Sequence, residues 1–151
     1  MPRPDLLQRF DFLLHDIARI SGHRFDQLAR TELGLSRAQV RLLSALDLHA
    51  GPDGLTQNEL AEHLDTSAMA VAALCARMEA AGWISRHACE HDRRARRVRL
   101  LPEARRPLAA ALRIADRLQA EMLADLTPAE RREIVALLQR VHGRVQRRRD
   151  D

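Results

Sequence analysis

The chain has 151 residues, a net charge of +4 and a hydrophobic fraction of 46%. This length suits a single domain with a core of ordinary size, and the hydrophobic fraction excludes a disordered chain. Aromatic residues make up only 3% of the chain, which argues against a surface of stacked rings that binds single-stranded nucleic acid.

The first predicted element is a long amphipathic helix that Pro4 and Asp5 open. Its apolar residues recur at spacings of four and three, as on one face of a helix. They include Leu6, Phe10, Leu13, Ile17 and Ile20. A stripe this wide needs more than one neighbour, and its period suits packing along another helix.

A second helix begins at Ser36 and Gln39, which have the spacing of a capping box, and it stops at Gly51 and Pro52. The next capping box, at Thr56 and Glu59, starts a short third helix. Residues 65 and 66 then interrupt the helical periodicity as a tight turn would.

Ser67 begins a fourth helix, which Gly82 ends by entering the left-handed conformation. Residues 83–87 and 96–100 are predicted strands, with Val98 and Leu100 on one face of the second strand. The order of elements indicates a helix-turn-helix followed by a wing, the loop between the two strands.

After the wing, Pro102 opens a long helix in which Pro107 predicts a kink or a restart, because proline lacks the amide that an internal helical bond needs. Thr127, Pro128 and Glu130 form a third capping box, with proline at the first helical position. This box starts the last helix, which carries a further apolar stripe.

The net positive charge of the chain is concentrated in the predicted hairpin. Residues 86–101 contain six arginines and two acids, so their net charge is 6 − 2 = +4, equal to that of the whole chain. Such a segment is suited to a polyanion, because each neutralised phosphate releases counterions. Duplex DNA is the natural candidate.

The sequence does not support a secreted protein, a membrane protein, an enzyme or a disulfide-rich protein. The N-terminal stretch has no signal-peptide core and no apolar run could span a membrane, so we expect a cytoplasmic protein. The chain has no glycine-rich phosphate loop, GxSxG turn or HExxH helix, and we therefore expect neither enzymatic activity nor a cofactor. Two cysteines are too few for a disulfide framework, and Cys75 is expected to be a small buried hydrophobe.

Three sequence blocks carry a family resemblance: LTQNELA at 55–61, MEAAGWISR at 78–86 and DRRARRV at 92–98. In this order and spacing they closely resemble the multiple-antibiotic-resistance regulator (MarR) family of winged-helix repressors. The detailed match covers about a third of the chain. It implies a mainly α fold with a small two- or three-stranded wing.

The resemblance also implies a domain plan. Residues 1–151 would form one MarR-like domain, with a helical dimerisation region at 1–33 and 102–149 and a winged helix-turn-helix lobe at 36–101. A homodimer would cover the apolar stripes of the first and last helices. It would also set two recognition helices about 34 Å apart, one turn of DNA.

The exposed face of the fourth helix would enter the major groove. Because this face is nearly all alanine, base reading must rely on methyl contacts to thymine and on DNA shape. We expect Arg94 at the wing tip to enter the minor groove and Asp92 to shape the loop. The candidate DNA-contacting residues are Ser67, Ala68, Met69, Ala72, Ala73, Ala76, Arg77, Arg93, Arg94, Arg96 and Arg97.

The resemblance further implies a repressor that binds a pseudopalindromic operator and is released by a small aromatic or anionic effector. Four side chains lie on elements that would line an effector crevice between the dimer helices and the winged lobe: His15, Arg19, His23 and Arg41. Helix-surface ion pairs or dimer contacts are the alternative role for each of them.

Two further hypotheses stay open. His87, Cys89 and His91 alternate along the chain, so a redox- or metal-responsive regulator of the same fold is one alternative. These three residues lack a fourth zinc ligand, and we assign no metal site. The other alternative is a winged-helix module that binds protein instead of DNA.

Overall fold

The computed structural model describes residues 5–89 and 96–148. Helices dominate, and three strands form one antiparallel sheet in the order β1-β3-β2. The elements are α1 (Phe10–Leu33), α2 (Arg37–His49), β1 (Leu55–Thr56), α3 (Gln57–Leu64), α4 (Ala68–Ala80), β2 (Ile84–Ala88), β3 (Arg96–Leu100), α5 (Arg105–Met122) and α6 (Pro128–Arg147). This architecture confirms the predicted mainly α fold with a small winged sheet.

The three predicted capping boxes are present at the starts of α2, α3 and α6. In each box the cap hydroxyl accepts a hydrogen bond from the amide three residues later. The side chain of that later residue accepts one from the amide of the cap, so two otherwise unpaired donors are satisfied. These helix starts follow from local sequence alone.

The predicted start of the first helix was wrong. Asp5 accepts a hydrogen bond from the amide of Leu7 and caps only a short 3-10 turn at Leu6–Gln8. Arg9 is then extended, with φ −92° and ψ 126°, and α1 begins at Phe10. Pro4 lies outside the described residues.

The predicted interruption near Pro107 takes the form of a restart. Pro102 opens a 3-10 turn at Pro102–Ala104, and α5 begins at Arg105. Pro107 therefore lies in the first turn of α5, where an amide has no partner within the helix.

Contacts divide the chain into two compact units, one ending at Ala115 and the other beginning at Asp116. The first unit has a core in which α3 and α4 pack with the sheet. Fully buried members of this core include Leu60, Val71, Met78, Ile84 and Val98.

The second unit contains the end of α5 and the whole of α6. Arg131 stabilises the connection between them, because its guanidinium donates to the carbonyl oxygens of Leu126 and Ala124 at 3.0 and 3.3 Å. None of the residues of α6 is buried in the single chain. Its exposed apolar side chains are Ile134, Val135, Leu137, Leu138, Val141 and Val145.

The helix α1, in the first unit, has an exposed apolar stripe of its own. It comprises Phe10, Leu13, Leu14, Ile17 and Ile20, each at least 38% exposed. Apolar exposure on this scale is what a folded chain normally covers. Among residues 5–89 and 96–148, no helix is long and apolar enough to cross a membrane.

The loop before β1 depends on a glycine. Gly54 has φ +77°, and a Cβ at this position would overlap the carbonyl oxygen of Val98 on β3. We expect Gly54→Ala to lower the free energy of unfolding by about 2 kcal/mol or more, because strain and backbone displacement add.

Gly51→Ala is the matched control in the same loop, since a Cβ there meets nothing within 4 Å. Its effect should stay within about 0.5 kcal/mol. Urea unfolding measures both changes. Equal stability of the two variants would contradict the close approach of Gly54 to β3.

Candidate nucleic-acid interface

The helix α4 has one face in the core and the opposite face in solvent. Val71, Leu74, Cys75 and Met78 are buried at the spacing of one helical stripe. On the other face Met69 is 83% exposed, Ala68, Ala73, Ala76 and Arg77 are exposed, and Ala72 is half-buried. The solvent face is thus mostly alanine, as the sequence predicts, and Arg77 is its one long polar side chain.

The turn between α3 and α4 has the predicted position. Asp65 adopts a left-handed conformation with φ 51°, which aspartate tolerates better than most residues with a side chain. Ser67 is exposed and caps α4, since its hydroxyl accepts a hydrogen bond from the amide of Ala70 at 3.1 Å. The hydroxyl oxygen thus serves as the cap of α4, and its hydrogen is still able to donate to another group.

Glu79 and Arg86 connect the end of α4 to β2. The backbone amide of Arg86 donates to Oε1 of Glu79 at 3.1 Å. Its guanidinium donates to Oε2 from Nε at 2.9 Å and from Nη2 at 2.6 Å. This three-bond contact, which we call the Glu79–Arg86 clamp, fixes the last turn of α4 against the first strand of the hairpin.

The clamp also shifts the pKa values of Glu79 and Arg86. The hydrogen bond from Arg86 is the main reason that the pKa of Glu79 is lowered, and the bond to Glu79 is the main reason that the pKa of Arg86 is raised. Both groups are therefore held in their charged forms near neutral pH.

The arginines of β3 differ in their surroundings. Arg96 is exposed, whereas Arg97 is half-buried and its Nη1 donates to the carbonyl oxygen of Gly54 at 3.0 Å. Arg99 lies 3.7 Å from the carboxylate of Asp53. Three of the four described arginines in the basic segment, counting Arg86, thus have partners within the chain.

The predicted wing tip cannot be placed, because Asp92, Arg93 and Arg94 lie outside the described residues. His91, which belongs to the alternative sensor hypothesis, lies there too. His87 is exposed on β2, with its Nε2 2.9 Å from the hydroxyl oxygen of Ser85. Cys89 is half-buried, and within the described ranges no three potential metal ligands form a group.

Cys75 is fully buried in the core, which confirms the prediction from its helical position. Burial raises the pKa of its thiol to about 11. The thiol is accordingly protonated at neutral pH and is a poor nucleophile.

The four candidate effector residues do not share one surface feature. His15, Arg19 and His23 are exposed along α1, and Arg19 pairs with Asp16 at 2.6 Å. Arg41, on α2, instead lines a surface cavity beside α3.

Three contacts in and beside this interface were not predicted: the Glu79–Arg86 clamp, the bond from Arg97 to Gly54, and a stacked ring pair, His49 and His63. Only the first had a sequence signal, since Glu79 and Arg86 both belong to the MEAAGWISR block. No periodicity indicates the other two.

The fold and this surface define a winged helix-turn-helix protein. A family model described as MarR family matches residues 33–95. The uncharacterized HTH-type transcriptional regulator YdgJ of Bacillus subtilis (strain 168) is 26% identical over 134 residues, covering 89% of this chain and 77% of YdgJ. The chain is thus similar to the MarR family of transcriptional regulators over the segment from α2 to β2.

Solved structures share the fold. A crystal structure of MarR superposes with a TM-score of 0.81 at 23% identity, covering 99% of this chain and 97% of MarR. The MepR–DNA complex of S. aureus gives a TM-score of 0.69 at 23% identity, covering 89% of this chain and 97% of MepR.

The clamp predicts a pH-dependent stability. The folded-state pKa of Glu79 is below the ordinary value of about 4.3, so the clamp stabilises the folded chain above that pH, and its contribution is lost as the pH falls through the lower folded value. Glu79→Gln should therefore be less stable than wild type near about pH 7, and the difference should shrink toward about pH 3.

Urea unfolding at several pH values measures this difference. Glu62→Gln, which removes the same charge from an exposed position of α3, is the control and should show no comparable narrowing. A stability difference for Glu79→Gln that stays constant across the acid range would rule out the charged clamp as its cause.

Proposed function

We propose that the chain is a homodimeric, sequence-specific DNA-binding regulator of transcription that acts as a repressor and is released by a small ligand. The observation that carries this proposal is the setting of α4. Its buried face is packed in the core, its last turn is clamped to β2, and its opposite face is open to solvent beside an arginine-rich hairpin.

The open face of α4 is suited to the major groove by shape more than by hydrogen bonding. Ala68, Ala72, Ala73 and Ala76 let the helix backbone approach the bases closely, and the exposed Met69 adds a flexible apolar contact. Apolar groups of this kind contact the methyl of thymine. DNA shape and deformability would supply much of the remaining specificity.

Phosphate contacts would come from arginines around this face. Arg77 and Arg96 are exposed, and we propose both as backbone contacts, together with Arg93. Arg94 is proposed for the minor groove and Asp92 for shaping the loop. Arg97 is the weakest of the proposed contacts, because one of its donors is bound to Gly54.

A second copy of the chain is proposed to cover the apolar stripes of α1 and α6. Residues 1–33 and 102–149 would form the dimerisation region, and residues 36–101 the DNA-binding lobe of a single MarR-like domain. Two-fold symmetry would then match a pseudopalindromic operator, with half-sites about one DNA turn apart.

Release from DNA is proposed to depend on the spacing of the two recognition helices. A ligand that favours a different spacing of the two recognition helices lowers DNA affinity, and DNA lowers ligand affinity by the same factor. The proposed ligand is a small aromatic or anionic molecule. His15, Arg19, His23 and Arg41 are candidate contacts, and Arg41 lines a cavity in the described lobe.

Arg96 and Arg97 offer a matched test, because they are neighbours on β3 with the same charge. Once a bound duplex has been selected from a random pool, affinity is measured by fluorescence anisotropy against salt concentration. Arg96→Gln should weaken binding and reduce the slope of log affinity against log salt by about 1.8 for a dimer that loses two phosphate contacts.

Arg97→Gln should act mainly on stability, lowering the free energy of unfolding by about 1 kcal/mol through the lost bond to Gly54. Arg113→Gln, at an exposed position of α5, controls for the removal of a positive charge. If no duplex is selected at low salt, or if Arg96→Gln behaves like Arg113→Gln, the proposed interface is wrong.

The dimer is tested by placing a charge in each stripe. Ile17 and Val141 are 55% and 39% exposed in the single chain, and Ile17→Asp and Val141→Asp should each shift the protein toward the chain mass of 17.1 kDa in sedimentation experiments, because burying an unpaired carboxylate is costly. Leu48→Asp alters a residue outside both stripes that is 74% exposed, and it should leave a dimer. A wild-type chain that sediments as a monomer would contradict the proposal.

A further inference from the structure

The side chains along the middle of α4 have almost no hydrogen-bonding capacity. Residues 68–76 read AMAVAALCA, a stretch without a strong side-chain donor or acceptor, since a thiol and a thioether bond only weakly. The thiol of Cys75 is in addition buried in the core. At a rise of about 1.5 Å per residue the stretch extends over roughly 14 Å of helix. Its side chains can therefore offer a partner little besides apolar contact.

Met69 is the one large apolar side chain of α4 that is exposed, at 83%. It is the second residue of the helix, and residues near the N-terminus of a recognition helix contact the base edges. Methionine is unbranched and polarizable, so it adapts to apolar partners of different shape. Ala68, Ala72 and Ala73 are short and let the helix backbone come close. The first half of α4 thus presents one adaptable apolar side chain on a surface of alanine.

The arginines around this surface favour an anionic partner. Arg77, in the last turn of α4, and Arg96, on β3, are exposed. Neither forms an ion pair with a carboxylate among residues 5–89 and 96–148. Duplex DNA combines an anionic backbone with base edges in a groove that is wide enough for a helix. The combination of free cations and an apolar surface therefore fits a base pair that carries an apolar group.

In the major groove this apolar group is a C5 methyl. The other groups that distinguish base pairs there are hydrogen-bond donors and acceptors, and an apolar side chain that covers them removes water without replacing its hydrogen bonds. Thymine carries the methyl, and 5-methylcytosine carries it on the same ring atom. The two bases differ at position 4, where thymine has an oxygen and cytosine an amino group. No side chain of residues 68–76 could read that difference by a strong hydrogen bond.

We propose that the chain responds to the methylation of cytosine in its DNA site. Met69 contacts the C5 methyl of one pyrimidine in each half-site, and 5-methylcytosine satisfies this contact as thymine does. Methylation of a cytosine at this position therefore tightens binding, and the modification state of the DNA regulates the occupancy of the site. The inference rests on the proposed DNA-binding function and extends it to the covalent modification of the bases.

The test begins with the duplex selected from a random pool. Each thymine is replaced in turn by uracil, together with its symmetry mate, so that only methyl groups are removed. At one position the Kd from fluorescence anisotropy should rise about fifteenfold, which is about fourfold for each buried methyl. The slope of log affinity against log salt should stay the same, because no phosphate contact is lost.

Cytosine and 5-methylcytosine at that same position, each paired with guanine, form a second matched pair of duplexes. The duplex with 5-methylcytosine should bind about fifteenfold more tightly than the duplex with cytosine. This comparison keeps the hydrogen-bonding groups of the base pair unchanged and alters only the methyl.

Met69→Ala tests the residue that makes the contact. The variant should fold, because Met69 is exposed and alanine is the best helix former. Both affinity ratios should fall below about threefold, since most of the apolar contact is removed. Leu48→Ala removes an apolar side chain of similar size from α2, where it is 74% exposed, and it should keep both ratios at about fifteenfold.

The proposal is overturned if uracil is tolerated at every position, if cytosine binds as tightly as 5-methylcytosine, or if Met69→Ala keeps both ratios. In each of these cases a duplex is still selected, and the proposed DNA-binding function stands. A chain that selects no duplex at low salt contradicts the proposed function and this inference together.

Discussion

The Glu79–Arg86 clamp is the contact on which the geometry of the interface depends. Packing fixes the depth of α4 in the core through Val71 and Met78, but apolar contacts are not directional. Three hydrogen bonds from one arginine to one carboxylate are directional: the amide donates to Oε1, and Nε and Nη2 of the guanidinium both donate to Oε2. The end of α4 and the start of the hairpin are therefore held in one arrangement.

The clamp also reduces the positive charge that the hairpin leaves unpaired. Summed along the sequence, residues 86–101 carry +4, but Arg86 is neutralised by Glu79 from outside the segment, and Arg99 lies near Asp53. Arg97 keeps its charge while donating to Gly54. Among the described arginines of this segment, Arg96 is thus the one whose positive charge is left most exposed to a polyanion.

The features that could be predicted from the sequence depend on residues that are close together in the chain. The capping boxes join residues three apart, and the stripe of α4 repeats every helical turn, so both follow from spacing alone. The clamp and the bond from Arg97 to Gly54 span 7 and 43 residues, and they depend on how β2 follows α4 and on how β1 pairs with β3. The helix predicted from Pro4 failed for a local reason: Asp5 caps a short 3-10 turn, and the extended Arg9 separates this turn from α1.

Because the solvent face of α4 is mostly alanine, the proposed contacts with DNA would depend more on the position of the helix backbone than on the reach of its side chains. Long polar side chains can reorient to keep their hydrogen bonds when a helix shifts, but alanine methyls contact a base only at close approach. If α4 reads DNA through Ala68, Ala72 and Ala73, as proposed, a small displacement of the backbone would remove these contacts. Such contacts require α4 to keep a fixed position, and the clamp fixes its last turn. At the other end of α4 the left-handed Asp65 joins it to α3, so a displacement of α3 would change the same contacts.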